Sequence, residues 1–129
     1  LTRLTPNGQV LKSSGYINID EEFLIECKNY NKKVDVTFIG KFATLLHAHN
    51  QKFGIMISNK GITGKGWNDA LGLTKKIFLK ENILIISLTI KDFRRMLDFS
   101  LFEVIEAKKM EIITDTKYEH FLSAHPSLT

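Results

Sequence analysis

Residues 23–28, Phe-Leu-Ile-Glu-Cys-Lys, are the stretch that decides the fold of this chain. The run is short and apolar and ends in Glu26-x-Lys28, which predicts a buried β-strand with a charged end. Because successive strand side chains alternate between faces, Glu26 and Lys28 point one way while Ile25 and Cys27 point the other. Charged groups at the end of a buried strand are costly unless they are paired or have a function.

The segment before this strand predicts its partner. Residues 15–19 form a second strand, joined to 23–28 by the acidic turn 20–22 in a short antiparallel hairpin. Residues 1–14 are polar and rich in turn residues, which indicates an irregular lead-in. Residues 114–129 carry little pattern, and we expect them to fray.

The segments after the strand alternate between helical and strand patterns. Asp35 is a plausible N-cap, and Thr89-x-x-Asp92 resembles a capping box with Asp in place of Glu. The remaining predictions are strands at 53–58 and 83–87 and helices at 35–50, 67–79, 89–97 and 100–112. Such an order gives an α/β sandwich, in which helices flank a mixed central β-sheet and the later strands are parallel neighbours.

Composition bounds the class of protein. The 129 residues are 43% hydrophobic and 25% charged, which predicts a single domain over residues 1–129 with its core at about 15–112. The start at Leu1 suggests a fragment of a longer protein. The net charge of +4 mildly favours an anionic partner. No run is long enough to span a bilayer, and the single Cys27, expected to be buried, fits a reducing cytoplasm.

Two interpretations of the charged residues stay open. Glu26 and Lys28 suit phosphodiester hydrolysis, with the carboxylate holding Mg²⁺ and the lysine positioning water or stabilising developing charge. They equally suit a cross-strand ion pair on a partly exposed edge. The lysines near this strand form either a solvated basic face or a track for phosphates. These lysines are Lys28, Lys32, Lys33 and Lys41.

In the order and identity of these elements, the chain resembles the catalytic domain of Mrr-like restriction endonucleases, which have the PD-(D/E)xK nuclease fold. The resemblance covers residues 15–97. The matching segments are Glu26-Cys-Lys-Asn-Tyr30, Val34-Asp-Val-Thr-Phe-Ile-Gly-Lys41, Phe53-Gly-Ile-Met-Ile-Ser58, Gly61-Ile-Thr and the strand and helix at 83–97.

This resemblance implies roles for individual residues. Glu26 and the backbone carbonyl of Cys27 would bind Mg²⁺ or Mn²⁺, Lys28 would be the catalytic lysine, and Lys41 would face the phosphate backbone. The family's other essential carboxylate is an Asp on the first strand of the hairpin. A three-residue turn puts Tyr16 in that position, opposite Glu26, while Asp20 lies at the hairpin tip, about 10 Å or more away.

The sequence thus supports a Mg²⁺-dependent DNA endonuclease domain of the restriction or defence type. Its partners would be DNA, a second copy for cutting both strands, and a separate DNA-recognition or NTPase domain, with no membrane involved. The alternative is a catalytically degenerate module of the same fold that binds nucleic acid or a protein partner without cleavage. A protein-interaction domain indifferent to DNA is a third hypothesis.

Overall fold

The computed structural model describes residues 2–15, 22–28, 32–62 and 69–124, with side chains described as far as residue 116. Its elements, in chain order, are β1 (Thr2–Arg3), α1 (Pro6–Ser13), β2 (Glu22–Lys28), α2 (Val36–Ala48), β3 (Phe53–Ser58), α3 (Ala70–Glu81), β4 (Leu84–Leu88), α4 (Ile90–Arg95) and α5 (Leu101–Ala124). No helix within these ranges has both the length and the apolar character needed to cross a bilayer.

The four strands form one mixed sheet in the order β1-β2-β3-β4. Parallel pairing joins β2 to β3 and β3 to β4, as in the pairs Ile25–Ile55 and Ile55–Ile86. β1 runs antiparallel to the start of β2, where Thr2 pairs with Phe23. The predicted α/β architecture with a mixed sheet is therefore confirmed, as is the parallel pairing of the later strands.

Apolar residues cover both faces of the sheet. One core cluster lies against α5 and includes Ile55, Ile86 and Ile105. The other lies against α2 and α3 and includes Met56 and Phe42. Because neighbouring residues of β3 enter opposite clusters, this strand is buried on both faces, as its continuous apolar sequence predicts.

Gly54 fixes how closely α2 approaches the sheet. A Cβ atom built at this position would lie 2.7 Å from Cζ of Phe42 and 2.9 Å from Cδ1 of Leu46, both on α2. Real Cβ atoms do not come so close, so α2 reaches its position only above a glycine. This contact sets the distance between the middle of α2 and the beginning of β3.

Helix α2 itself starts where the sequence predicts. The side chain of Asp35 accepts hydrogen bonds from the backbone N–H groups of Thr37 and Phe38, at 3.0 and 3.4 Å. The capping box of Thr89 and Asp92 is likewise present at the start of α4. Both N-caps confirm helix starts that the sequence places at Asp35 and Thr89.

The prediction for the chain ends is wrong. Residues 1–14 are not an irregular lead-in: they contain β1 and α1, and Thr5 caps α1 by accepting a hydrogen bond from the N–H of Gly8. A two-residue strand and a helix that contains Pro6 and Gly8 give almost no periodic signal, because both are short. The tail also differs, since α5 continues to Ala124 rather than fraying after residue 112.

The predicted hairpin is also replaced. Phe23 pairs with Thr2 and not with Ile19, and the other edge of β2 is paired with β3. Residues 16–21 lie outside the described residues, so the strand at 15–19 is not described. The antiparallel partner of Phe23 is therefore Thr2, which is much earlier in the chain than the residue that a three-residue turn would supply.

Candidate active site

Glu26 and Lys28 lie together at the carboxyl end of β2. Leu24, two residues earlier on the same face, belongs to the core cluster under α2, which places both charged side chains on the α2 face. Lys28 Nζ is 2.9 Å from Glu26 Oε1, and the side chains are 26% and 32% exposed. The pair is thus neither sealed in the core nor fully solvated, and it forms within one strand rather than across two.

Phe38 brings a second lysine to this pair. The Nζ atom of Lys28 lies 5.2 Å from the centroid of the Phe38 ring, and that of Lys41 lies 5.7 Å from it. Both distances are within the range of a cation–π contact. Phe38 and Lys41 are three residues apart on α2, so the start of this helix sets a basic group beside the end of β2.

Lys32 and Lys33 are exposed in the connection between β2 and α2. The connection is anchored at Val34, which is fully buried and whose N–H donates to the carbonyl of Gly61 at 2.8 Å. Val34 also forms an isolated parallel bridge with Ile62. Lys32 and Lys33 therefore come directly before the anchored residue Val34, in the chain segment between Lys28 and Lys41.

Cys27 is exposed, and the prediction that it is a buried small hydrophobe is wrong. Its side chain points away from Glu26 and Lys28, to the face that α5 covers elsewhere. Near this end of the strand, Cys27, Ile57 and Phe93 instead line a cavity of about 330 Å³. The face is uncovered here because the core under α5 does not extend to the end of β2.

Tyr16 and Asp20, the candidates for the second acidic position, both lie outside the described residues. The sequence places Tyr16 opposite Glu26 on the basis of an Ile19–Phe23 pair. Phe23 pairs with Thr2 instead, but the described pairing of β1 with β2 covers Glu22 and Phe23 and does not reach Glu26, so the position of Tyr16 stays a prediction. Helix α1, which the sequence interpretation lacks, has the sequence PNGQVLKS and contributes no carboxylate.

The donor set at the end of β2 fits part of a Mg²⁺ site. Mg²⁺ in proteins keeps several waters and binds through one or two carboxylates together with substrate phosphates. Glu26 supplies one accessible carboxylate, and strand carbonyls such as that of Cys27 are hard oxygen donors. Within the described ranges, no three or more His, Cys, Asp or Glu side chains are grouped so as to hold a metal ion.

The sequence does not predict the positions of two residues near this pair, Phe38 and Ser58. Phe38 falls on the apolar stripe of α2, which predicts a core residue, yet it is only partly buried and contacts both lysines. Ser58 ends an apolar strand, and its burial beside Lys28 follows only from the strand register. One feature of the sequence could have predicted the contact of Phe38 with Lys28. Phe38 lies three residues after the N-cap Asp35, so it is in the first turn of the helix that follows β2.

Comparison with known protein families gives a match. A family model for the Mrr catalytic domain, described as restriction endonuclease, matches residues 3–89, about two thirds of the 129 residues. The match extends from β1 to the end of β4 and includes Glu26, Lys28 and Lys41. Searches of curated proteins and of solved structures return no match.

Proposed function

The chain belongs to the family of Mrr-like restriction endonuclease catalytic domains, and we propose that it hydrolyses DNA phosphodiester bonds with Mg²⁺ or Mn²⁺, in restriction or defence against foreign DNA. The observation that carries this proposal is the Glu26–Lys28 pair at the end of β2, with 2.9 Å between Nζ and Oε1. Both side chains are partly exposed, so a cation and a phosphate can reach them.

Each residue of the pair has its own task in this proposal. Glu26 binds the cation through its carboxylate, with the carbonyl of Cys27 as a further oxygen ligand. When bound, a divalent cation stabilises charge on the scissile phosphate and makes an attacking water more acidic. Lys28 places its ammonium at the phosphate, where positive charge stabilises the extra negative charge of the transition state.

The basic surface supports DNA as the substrate. Lys28 and Lys41 both contact the Phe38 ring, with Nζ at 5.2 and 5.7 Å from its centroid, and Lys32 and Lys33 lie in the connection between β2 and α2. We infer that these lysines contact phosphates, which fixes the position of the duplex without selecting a sequence. Target choice would then rest with another domain of the parent protein, and a homodimer would cut both strands.

The second candidate is a module of the same fold that binds without cleaving. It is favoured by Tyr16, a phenol that the sequence places where the family has an Asp. Tyr16 and Asp20 remain proposals for that position.

Incubation of the purified protein with supercoiled plasmid and Mg²⁺ or Mn²⁺ separates the two candidates. The endonuclease nicks or linearises the plasmid, and the Glu26→Ala variant does not. The binding module retards the plasmid without cutting it, in a manner that weakens as salt rises. If the protein neither cleaves the plasmid nor binds it in a salt-sensitive manner, only the hypothesis of a protein-interaction domain remains.

A further inference from the structure

Ser58 is the residue of β3 that pairs with Lys28 of β2. Paired residues of a parallel sheet point to the same face, and Met56, two residues before Ser58, belongs to the core cluster under α2. The Ser58 side chain therefore lies on the same face as Glu26 and Lys28. Neighbouring strands are about 4.8 Å apart, a distance that a lysine side chain spans easily.

The Ser58 hydroxyl is buried without a hydrogen bond. The residue is 4% exposed, and its Oγ has no partner among the described residues. By contrast, the buried Thr74 hydroxyl has a local partner, since its Oγ1 donates to the carbonyl of Leu71 at 2.6 Å. Because an unpartnered buried hydroxyl is costly, the Ser58 oxygen is an acceptor that a neighbouring donor can satisfy.

In the part of the chain whose side chains are described, two other buried hydroxyls lack a partner, those of Ser87 and Thr116. Ser87 lies within β4, where it pairs with Met56, and Thr116 lies on α5. Neither is beside Lys28. The position of Ser58 next to the proposed catalytic lysine is what distinguishes it.

We propose that Ser58 is a positioning residue for Lys28, accepting a hydrogen bond from its ammonium when a divalent cation occupies the Glu26 carboxylate. This inference rests on the proposed function. In the described state the ammonium is shared between Glu26 and the Phe38 ring. A cation on Glu26 competes for the same carboxylate oxygen, and the Ser58 hydroxyl then gives the ammonium a fixed acceptor on the adjacent strand.

The deciding measurement is the hydrogen-exchange rate of the Lys28 ammonium, followed by NMR on protein labelled with ¹⁵N-lysine, with and without Mg²⁺. The Lys28 signal is assigned by its loss in Lys28→Arg. With Mg²⁺ present, we expect exchange about tenfold faster in Ser58→Ala than in the wild type, since a hydrogen bond to a charged group is lost. Ser87→Ala removes an equally unpartnered hydroxyl and should match the wild type.

Activity supplies a second readout. We expect plasmid cleavage to fall about tenfold in kcat for Ser58→Ala, with unchanged DNA binding in Ca²⁺ and with recovery in Ser58→Thr. Thermal unfolding checks that each variant is folded. If Ser58→Ala does not fold, Ser58→Cys is used in its place.

Equal exchange rates in the wild type and Ser58→Ala with Mg²⁺ would overturn the role of Ser58, whatever the cleavage result. A wild type that does not cleave would overturn the endonuclease proposal, and the exchange rate would still decide the role of Ser58.

Discussion

The ammonium nitrogen of Lys28 lies 5.2 Å from the centroid of the Phe38 ring, so a side chain at the end of β2 contacts the first turn of α2. Lys41 lies 5.7 Å from the same ring. One aromatic side chain therefore links the proposed catalytic lysine to the basic surface that would contact DNA. The contact depends on the close approach of α2 to β3 that Gly54 permits.

Replacing Phe38 with Leu should slow plasmid cleavage about fivefold or more while the protein stays folded. Leucine keeps most of the apolar packing but removes both cation–π contacts, each of which contributes about 0.5–1 kcal/mol at an exposed site. Initial cleavage rates at limiting enzyme measure the effect. Phe78→Leu, in a partly buried ring packed on the opposite core cluster, is the matched control and should cleave at the wild-type rate. Equal rates for the two variants would mean that Phe38 only packs.

Replacing Glu26 with Gln should reduce cleavage at least about 100-fold, because the amide is isosteric but binds a hard cation poorly and carries no charge. Glu22→Gln is the control, since Glu22 lies on the same strand and forms an ion pair with Arg3. It should leave cleavage unchanged. Isothermal titration with Mn²⁺ gives an independent reading: cation binding should disappear in the Glu26 variant and persist in the Glu22 variant.

The sequence predicts well what depends on local chemistry. The N-cap at Asp35, the capping box of Thr89 and Asp92, and the two apolar parallel strands follow from short-range rules of capping and burial. The shared face of Glu26 and Lys28 follows from strand alternation. These features need no information about distant parts of the chain.

The sequence does not predict what depends on long-range pairing. Nothing near Phe23 shows that its partner is Thr2, because a two-residue strand has no periodicity. The exposure of Cys27 depends on where the core under α5 ends, and the register that sets Ser58 beside Lys28 appears only when β2 and β3 pair. The error at the predicted hairpin therefore concerns the partner of Phe23, while the positions of Tyr16 and Asp20 stay predictions.

Replacing Gly54 with Ala should destabilise the fold by about 1–3 kcal/mol, which is the usual cost of overpacking a core. The new methyl group would lie 2.7 Å from the ring of Phe42, so the Phe42 and Leu46 side chains, or α2 with them, must shift. Gly40→Ala is the opposite control: no atom lies within 4 Å of the added Cβ, and a helix-interior glycine should gain up to about 1 kcal/mol on replacement. Urea unfolding of the two variants measures both signs. A neutral Gly54 variant would show that α2 is not fixed by this contact.

The double variant Lys33→Gln and Lys41→Gln should weaken DNA binding and reduce its salt dependence. Each lost phosphate contact lowers the slope of log K against log salt by about 0.9, so the slope should fall by about 1.8. Fluorescence anisotropy with a short duplex in Ca²⁺ provides the measurement. Lys52→Gln with Lys80→Gln removes the same charge at the other end of the sheet, before β3 and β4, and should leave the slope unchanged. Equal slopes for both pairs would indicate only a general effect of net charge.

Asp92 joins α4 to α5 and should be required for stability rather than for catalysis. The residue is 4% exposed, its Oδ2 accepts a hydrogen bond from the N–H of Thr89 at 2.8 Å, and its Oδ1 lies 3.3 Å from Nζ of Lys108. Asn in its place keeps one acceptor but loses the charge opposite Lys108, so we expect a loss of about 1–3 kcal/mol in unfolding free energy. Asp98→Asn, at an exposed position, should be neutral. Because Asp92 does not contact Glu26 or Lys28, the folded Asn variant should cleave DNA at the wild-type rate well below its melting temperature. A loss of cleavage without a loss of stability would instead place Asp92 in the active site.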